Sequence, residues 1–447
     1  MGGARASSKL AEDAREARSA PGGPTKVSAP GASRVGPTAD RGNTVRRIMS
    51  EFAERTGLSS ARTPRRYLWT DAFAVCNFLE LHTETGAGHD RALAERLVDQ
   101  VHRILGRHRD DDSRTGWISG LSEQDGRTHP TRGGLRIGKQ LSERSPGEPY
   151  DPRSEWDRDG QYFHYLARWM HALGRLAAVT GRRDALLWAI ELAQSAYRGF
   201  AHAARDGRPS LVWKMSIDLT RPLVPSAGHH DPLDGLITFL ELRSAAAQPP
   251  RSGQAAALED SEAPSPAPLL RTTSLFDHSD RLLEPQIAAL SEMCQGVDWT
   301  TTDALGLGGL LTDAYRLAQL MARGDGAQRR PLLERILLSA EVGMGALVRA
   351  DSLGGPAAER LPFRELGLAI GLHALEPLEE LIASDRLLFG GAADAIPVLR
   401  RYLPLTELIE SFWLDERNQR AATWSGHLDI NAVMLATSLA PATYLSI

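Results

Sequence analysis

Helices of two kinds alternate along this chain, and this alternation constrains its fold more than any other feature. Apolar residues recur at a helical spacing and period-two runs are rare, which predicts an all-α protein. Every second helix is apolar nearly all round and belongs in the interior, whereas the others carry a single apolar stripe. The predicted helices cover about residues 43–57, 70–83, 89–107, 159–179, 183–203, 232–244, 280–294, 303–322, 329–350, 364–382, 393–413 and 428–440. The pattern therefore predicts six inner helices surrounded by six outer helices.

An acidic residue marks the predicted opening of each inner helix. These residues are Asp71, Asp159, Asp231, Asp303, Glu365 and Asp429. They lie between 62 and 88 residues apart, which indicates a degenerate repeat of one helical hairpin per step. An acid at a helix N-terminus is accounted for by capping alone. In a ring of parallel inner helices, however, all six would converge around one mouth.

Two segments connect this pattern to a known superfamily. RRYLWTDAFAV, around Asp71, and WDRDGQYFHY, around Asp159, are similar to the aromatic-x-Asp openings of inner helices in the six-hairpin glycosidase superfamily. The chain resembles its (α/α)6 toroid over about residues 43–447. Members include unsaturated glucuronyl hydrolases and, on a related toroid, N-acylglucosamine 2-epimerases. The resemblance implies a cleft at the mouth, aromatic walls that stack on sugars, and paired carboxylates.

Hydrolysis of a glycosidic bond needs one protonated carboxyl group and one ionised carboxylate. The sequence favours a glycoside hydrolase with Asp159 and Asp231 as the working pair, because both lie in segments dense in acids and aromatic residues. The other catalytic candidates are Asp71, Asp157, Asp234, Asp303, Glu365 and Asp429. The predicted sugar-binding residues are Trp69, Trp117, Arg132, Tyr162, His164, His229, His230, Trp424 and His427.

Histidines favour a different reaction. His164, His229, His230 and His427 fall on or just before inner helices, and an imidazole suits proton abstraction next to a carbonyl. A sugar epimerase or isomerase is therefore the alternative, and a non-catalytic carbohydrate-binding scaffold is a third hypothesis. No metal-ligand spacing such as HExxH occurs, so we expect neither a metal nor another cofactor.

Composition excludes several other classes of protein. The formal net charge is −4, without a basic stripe, which predicts no nucleic-acid partner. Neither a signal peptide nor an apolar run of ~18 residues is found, so we expect a cytoplasmic protein with no membrane partner. Cys76 and Cys294 lie in apolar helical patterns and are expected in the core. We expect a monomer or a homodimer.

Three segments depart from the helical pattern. Residues 1–42 hold few branched apolar side chains and are predicted to be a disordered tail that precedes a toroid domain of residues 43–447. Residues 245–268, rich in Ala, Pro and Ser, are predicted to be a low-complexity insert within it. The polar connection 110–156 is predicted to wall the cleft. One strand-like piece, residues 211–217, is expected at the rim.

Overall fold

The computed structural model describes residues 38–248 and 279–447, apart from residues 205, 225 and 326. Residues 1–37 of the predicted tail and residues 249–268 of the predicted insert lie outside the described residues. The longer helices are α1 (Thr38–Arg55), α2 (Leu68–Thr85), α3 (Gly88–Leu105), α6 (Phe163–Thr180), α7 (Arg183–Phe200), α8 (Asp231–Ala247), α9 (Ser279–Met293), α10 (Ala304–Leu320), α11 (Arg330–Arg349), α12 (Pro362–His373), α13 (Leu375–Ser384), α15 (Ala392–Leu399), α16 (Pro404–Leu414) and α19 (Leu428–Leu439). The shorter helices are α4 (Glu123–Thr128), α5 (Pro152–Glu155), α14 (Arg386–Phe389), α17 (Glu416–Gln419), α18 (Ala422–Ser425) and α20 (Ala442–Leu445).

Six inner helices form a closed ring. Helix α2 packs on α6, α6 on α8, α8 on α10, α10 on α12, α12 on α19, and α19 returns to α2. Each inner helix also packs against an outer one, in the order α3, α7, α9, α11, α16 and α1. The predicted (α/α)6 toroid is confirmed. Cys76 and Cys294 are buried, in agreement with the prediction that both belong to the core.

The short helix α20 closes one end of this ring by contacting α2, α6 and α10. The backbone amide of Thr443 donates to Glu80, near the end of α2, and the side-chain amide of Gln319, near the end of α10, donates to the carbonyl of Leu445. Both partners belong to the carboxyl-terminal halves of their helices. The end that α20 closes is therefore opposite the end where the inner helices begin.

The second inner helix begins later than the sequence predicts. Helix α6 starts at Phe163, not near residue 159, because strand β1 (Gln161–Tyr162) intervenes and pairs antiparallel with β4 (Lys214–Met215). Gly160 precedes β1 with a φ of 147°, and a Cβ there would lie 2.7 Å from the carbonyl oxygen of Met215. This close approach needs glycine and interrupts any helix that includes Asp159.

Other boundaries also differ from the predictions. The predicted helix 364–382 divides at Ala374 into α12 and α13, and the predicted helix 393–413 divides before Pro404, which lacks an amide hydrogen and begins α16. Helix α1 begins at Thr38, inside the predicted tail. The predicted rim strand is divided between β3 (Pro209–Leu211), which pairs with β2 (Ala201–Ala203), and β4.

Candidate active site

A cavity of about 280 Å³ occupies the end of the ring where the inner helices begin. All six inner helices contribute to its lining. Helices α2, α6 and α8 do so from their amino-terminal halves, α10 and α12 from their amino-terminal halves and as far as Asp313 and Ile370, and α19 through Met434 near its centre. Tyr444 on α20 also lines the cavity, and its ring stacks on that of Phe73 with centroids 4.6 Å apart. The segment that closes the far end of the ring therefore contributes the floor of the cavity.

Seven of the predicted site residues line this cavity. They are Trp69, His164, His229, His230, Asp231, Asp234 and Asp303. The other predicted residues lie outside the lining. They are Asp71, Asp157, Asp159, Glu365, Asp429, Trp117, Arg132, Tyr162, Trp424 and His427.

Asp159, one member of the predicted working pair, is fully buried and away from the cavity. Its carboxylate forms ion pairs with the guanidinium groups of Arg136, at 2.9 Å, and Arg109, at 3.3 Å. The backbone amides of Gly138, Lys139 and Gly160 also donate to it. Asp159 therefore ties the long connection of residues 106–160 together, and the structure does not bring it together with Asp231 at the cavity.

The remaining catalytic candidates outside the cavity have local partners. Asp71 is buried beside Arg66, and burial raises the pKa of its carboxyl to about 6. Glu365 accepts from Arg360 and from the indole of Trp413 at 2.8 Å. Asp429 pairs with Arg55 at 2.7 Å, and Asp157 is exposed. The first three are thus engaged in ion pairs outside the cavity.

The predicted sugar-binding residues outside the lining are placed as follows. Trp117 is buried beneath the guanidinium of Arg107, and Arg132 pairs with Glu191. Trp424 is buried and stacks on Trp413, and His427 is exposed. Tyr162 is buried behind the lining, where its ring stacks on that of His164 with centroids 5.6 Å apart.

Asp231 and His164 face each other in the cavity. Asp231 begins α8, with Pro232 tolerated in the first turn, and Asp234 lies one turn further on the same side. The His164 Nδ1 atom lies 3.7 Å from an Asp231 oxygen, beyond hydrogen-bond distance. The other Asp231 oxygen and this Nδ1 atom are buried without a hydrogen-bond partner among the described residues. Gly228 leaves room for the carboxyl, since a Cβ there would lie 2.2 Å from it.

Burial sets the protonation of this pair. It lowers the pKa of His164 to about 4, because a charged imidazole would lose its hydration. Burial, together with the nearby charge of Asp234, holds the pKa of the Asp231 carboxyl well above its ordinary value. At neutral pH the His164 imidazole is thus neutral and can accept a proton, and burial favours the protonated form of the Asp231 carboxyl beside it, which can donate one.

His230 supplies a second neutral imidazole from the residue before α8. Its Nε2 atom lies 3.1 Å from the carbonyl oxygen of Trp299, which can only accept, so Nε2 carries the hydrogen and Nδ1 carries the lone pair. Burial, followed by the neighbouring His229, lowers the pKa of His230. The cavity therefore contains two basic imidazoles, His164 and His230, on successive inner helices.

Arg168, Asp234 and Asp313 form a buried cluster in the cavity wall. Arg168 donates to Asp234 at 2.9 Å, and the two carboxyl groups of Asp234 and Asp313 are hydrogen-bonded to each other. Burial and the charge of Asp234 hold the pKa of Asp313 well above its ordinary value. Although burial opposes it, the charge of Arg168 and the hydrogen bond with Asp313 lower the pKa of Asp234. The protonated form of Asp313 and the ionised form of Asp234 are thus favoured.

The mouth carries aromatic rings and a second arginine. Trp213 lies nearly parallel to the His164 ring, and Trp69 lies edge-on to it at 5.7 Å. Asp303 caps α10 by accepting from the amides of Leu305 and Gly306, and it also pairs with Arg364. The two tryptophans offer flat apolar faces, whereas Asp303 and Arg364 neutralise each other.

Arg168, Trp213, Asp313 and Arg364 line the cavity but were not among the predicted site residues. A usable signal existed for two of them. Arg168 and Asp313 are charged residues inside helices that are otherwise apolar nearly all round, where a charge is costly unless it is paired. Such positions lie within the helices, whereas the predicted acids lie at helix openings. Trp213 was hidden in the segment predicted as a rim strand.

Among the described residues, the structure shows neither a metal cluster nor a membrane-spanning helix. Within residues 38–248 and 279–447, no three His, Cys, Asp or Glu side chains converge closely enough to hold a metal ion. No helix in the described part of the chain is both long and apolar enough to cross a membrane.

The chain is similar in arrangement to several solved structures. A sugar epimerase from a ruminal bacterium matches with 8% identity and a TM-score of 0.48, covering 90% of this chain and 98% of the other. A D-mannose isomerase matches with 11% identity and a TM-score of 0.47, covering 91% and 97%. A cellobiose 2-epimerase from Spirochaeta thermophila matches with 13% identity and a TM-score of 0.44, covering 90% and 98%. No protein-family model and no curated protein matches the chain. The toroid is shown by the ring contacts of this chain itself.

Proposed function

We propose that this protein is an enzyme that epimerises or isomerises a sugar by proton transfer at the carbon next to the carbonyl. The observation that carries the proposal is the presence of two neutral imidazoles, His164 and His230, in one cavity. A buried carboxyl group, Asp231, lies 3.7 Å from the first of them, and burial raises its pKa toward the protonated form. A general base and a general acid that are both ready at neutral pH are what such proton transfer requires.

The reaction needs no redox partner. One imidazole takes the proton from the carbon next to the carbonyl of the open-chain sugar, and the electrons of the broken C–H bond move onto the carbonyl oxygen to give an enediolate. Return of a proton to the opposite face of the same carbon gives the epimer, and return to the neighbouring carbon gives the isomer. In our proposal His164 and His230 serve as the bases, and Asp231 supplies a proton.

The cavity also suits a sugar as its ligand. Trp69 and Trp213 present aromatic rings on which the C–H face of a sugar can pack, while the acidic and basic side chains offer hydrogen bonds to its hydroxyl groups. A volume of about 280 Å³ is at the small end of the range for ligand sites, which favours a mono- or disaccharide. The named solved structures that share this arrangement of helices are likewise sugar epimerases and isomerases.

A glycoside hydrolase is the second candidate, favoured by the protonated Asp231 and the ion-paired Asp303 in the same cavity. The acidic oxygen of Asp231 could serve a leaving group. Asp303, however, is committed to two backbone amides and to Arg364, and Asp234 to Arg168. Both ionised carboxylates are thus engaged, whereas both imidazoles keep a lone pair.

Proton transfer is tested by incubating the protein with free aldoses, ketoses and reducing disaccharides in deuterated water. We expect a new sugar that carries deuterium at carbon 1 or 2, detected by NMR. His164→Gln and His230→Gln should each reduce its rate of formation by roughly 10²- to 10⁴-fold. His202→Gln, at an exposed histidine on β2, is the matched control and should leave the rate unchanged. Release of reducing ends from oligosaccharides without deuterium incorporation would instead establish the hydrolase.

A further inference from the structure

We propose that Arg168 and Asp313 form a subsite that binds the α-hydroxycarbonyl unit of the sugar, with Arg168 donating to the carbonyl oxygen and Asp313 accepting from the adjacent hydroxyl group. This inference deepens the proposed function and rests on it. It assigns the chemical group that the cavity recognises and two residues that contact it.

Arg168 has two hydrogen-bond donors that no described residue uses. Arg168 is 6% exposed, and its Nη2 atom donates to Asp234 at 2.9 Å. Its Nε and Nη1 atoms are buried and have no hydrogen-bond partner in the described part of the chain. A buried donor without a partner is costly, so it is normally satisfied by protein, water or ligand. Since Arg168 lines the cavity, a ligand oxygen can satisfy these donors.

The aspartate supplies the matching acceptor. Asp313 is 1% exposed, lines the same cavity, and is hydrogen-bonded through one oxygen to Asp234. Two carboxyl groups can share such a bond only if one carries a proton, and Arg168 keeps Asp234 ionised. Asp313 therefore donates its proton in a hydrogen bond to Asp234, and the second oxygen of Asp313 remains available as an acceptor. This second oxygen, Oδ1, is buried without a hydrogen-bond partner within residues 38–248 and 279–447.

The elements behind the cluster hold it in place. The Nη1 atom of Arg316, one turn along α10, lies 3.8 Å from Asp313 and the same guanidinium pairs with Glu241. Gly309 keeps Arg168 accessible, because a Cβ there would already lie 3.9 Å from Nη2 and a longer side chain would reach the guanidinium. The donor and the acceptor thus present a fixed pair of groups to the ligand.

The charges of the cluster suit an oxygen that becomes negative only during the reaction. Asp234 and Arg168 neutralise each other, and Asp313 is uncharged. The subsite therefore offers little to a permanently anionic group, whereas the free N–H groups of Arg168 stabilise charge that develops on the carbonyl oxygen. Such differential stabilisation lowers the barrier to reaction.

The subsite is tested by calorimetric measurement of the affinity for ligands that the protein cannot turn over. The probe is a six-carbon aldonohydroxamate, which mimics an enediolate, and the control ligand is the six-carbon alditol, which lacks the carbonyl. We expect the wild-type protein to prefer the hydroxamate. Arg168→Lys keeps the charge beside Asp234 but removes the forked donors, and it should weaken hydroxamate binding by roughly 10- to 100-fold while changing alditol binding little.

Substitutions of Asp313 test the acceptor. Asn can donate to Asp234 and still accept through its carbonyl, so Asp313→Asn should retain hydroxamate affinity to within roughly threefold, whereas Asp313→Ala should lose roughly tenfold or more. In the infrared difference between wild type and Asp313→Asn at neutral pH, a band of a protonated carboxyl group should disappear.

The outcomes separate the two proposals. Equal binding of hydroxamate and alditol by the wild type, binding of neither, unchanged hydroxamate affinity in Arg168→Lys and Asp313→Ala, or no loss of the infrared band would each overturn the subsite. Deuterium incorporation alongside any of these results would leave the proposed reaction standing. A hydroxamate preference that Arg168→Lys abolishes, in a protein that transfers no proton to any sugar, would support the subsite and refute the reaction.

Discussion

Asp159 and Asp231 are both buried carboxyl groups near the mouth of the ring, with 0% and 5% exposure, yet their surroundings differ. Asp159 is surrounded by donors, with Arg109, Arg136 and three backbone amides directed at its two oxygens. Asp231 has one buried oxygen with no partner among the described residues, and the nearest imidazole nitrogen lies 3.7 Å away. Burial alone therefore does not single out a candidate functional carboxyl group, and what distinguishes Asp231 is an unmet hydrogen bond beside the cavity among the described residues.

The same contrast holds for the segments that carry them. The long connection of residues 106–160 is fixed by ion pairs. Arg114 pairs with both Glu143 and Asp218. Glu155 pairs with Lys214 at 2.9 Å. Many of its charged side chains are thus paired with side chains of opposite charge. In the cavity, the His164 Nδ1 atom and the Arg168 Nε and Nη1 atoms are buried without a hydrogen-bond partner among the described residues. No residue of the connection lines the cavity in the described part of the chain, so the prediction that it walls the cleft is not met there.

The largest expected effect comes from Asp231→Asn. The amide is nearly isosteric with the protonated carboxyl group but cannot give up a proton in the same way. We expect turnover of the sugar substrate to fall by roughly 10²- to 10⁴-fold, with little change in thermal midpoint. Steady-state kinetics and thermal unfolding of the same preparation measure both. A variant of undiminished activity would remove Asp231 from the chemistry.

Asp159→Asn should have the complementary effect, a loss of stability. The amide leaves Arg136 without its carboxylate partner and Arg109 with Asp111 alone, and breaking an ion pair at a buried carboxylate in this way costs about 3–5 kcal/mol of unfolding free energy. Denaturant titration measures the loss, and Asp157→Asn, at an exposed neighbour, serves as the control with an expected change below about 0.5 kcal/mol. The comparison with Asp231 fails if Asp159→Asn is fully stable but inactive.

A smaller effect, on the pH dependence of stability, is expected at His102, a buried histidine that already has a hydrogen-bond partner. Its Nε2 atom accepts from the indole of Trp169 at 3.1 Å, and burial lowers the pKa of His102 to about 3. Because the unfolded state binds a proton near pH 6.5 and the folded state does not, this contribution to stability is complete above pH 6.5 and is lost as the pH falls. Between pH 7 and pH 5 the loss is about 2 kcal/mol.

Comparison with His102→Gln isolates this term, because glutamine can still accept from Trp169 but does not titrate. The unfolding free energy of the wild type, measured in urea at both values of pH, should fall by about 2 kcal/mol more than that of the variant. Parallel pH dependence of the two proteins would show that His102 is not held neutral by burial.

Much of the site was foreseen at one helix and missed at another. The HHDPLD segment before α8 contributes His229, His230, Asp231 and Asp234 to the cavity, as the sequence predicts. Asp159 was chosen on the same reasoning, but Gly160 and strand β1 separate it from α6. Proximity to a helix opening in sequence does not fix the direction of a side chain when a strand pairing intervenes.

The alternation of two kinds of helix determined the all-α toroid from the sequence by itself, because the apolar surface of each helix dictates how many sides must be buried. The partners of the buried charges were decided only by the tertiary structure. Arg168, Asp234 and Asp313 lie on three different inner helices, and their interaction depends on ring closure and on the rotation of each helix about its axis. Hydrophobic periodicity records which face of a helix turns inward. It does not record which charge will meet which other charge across the ring.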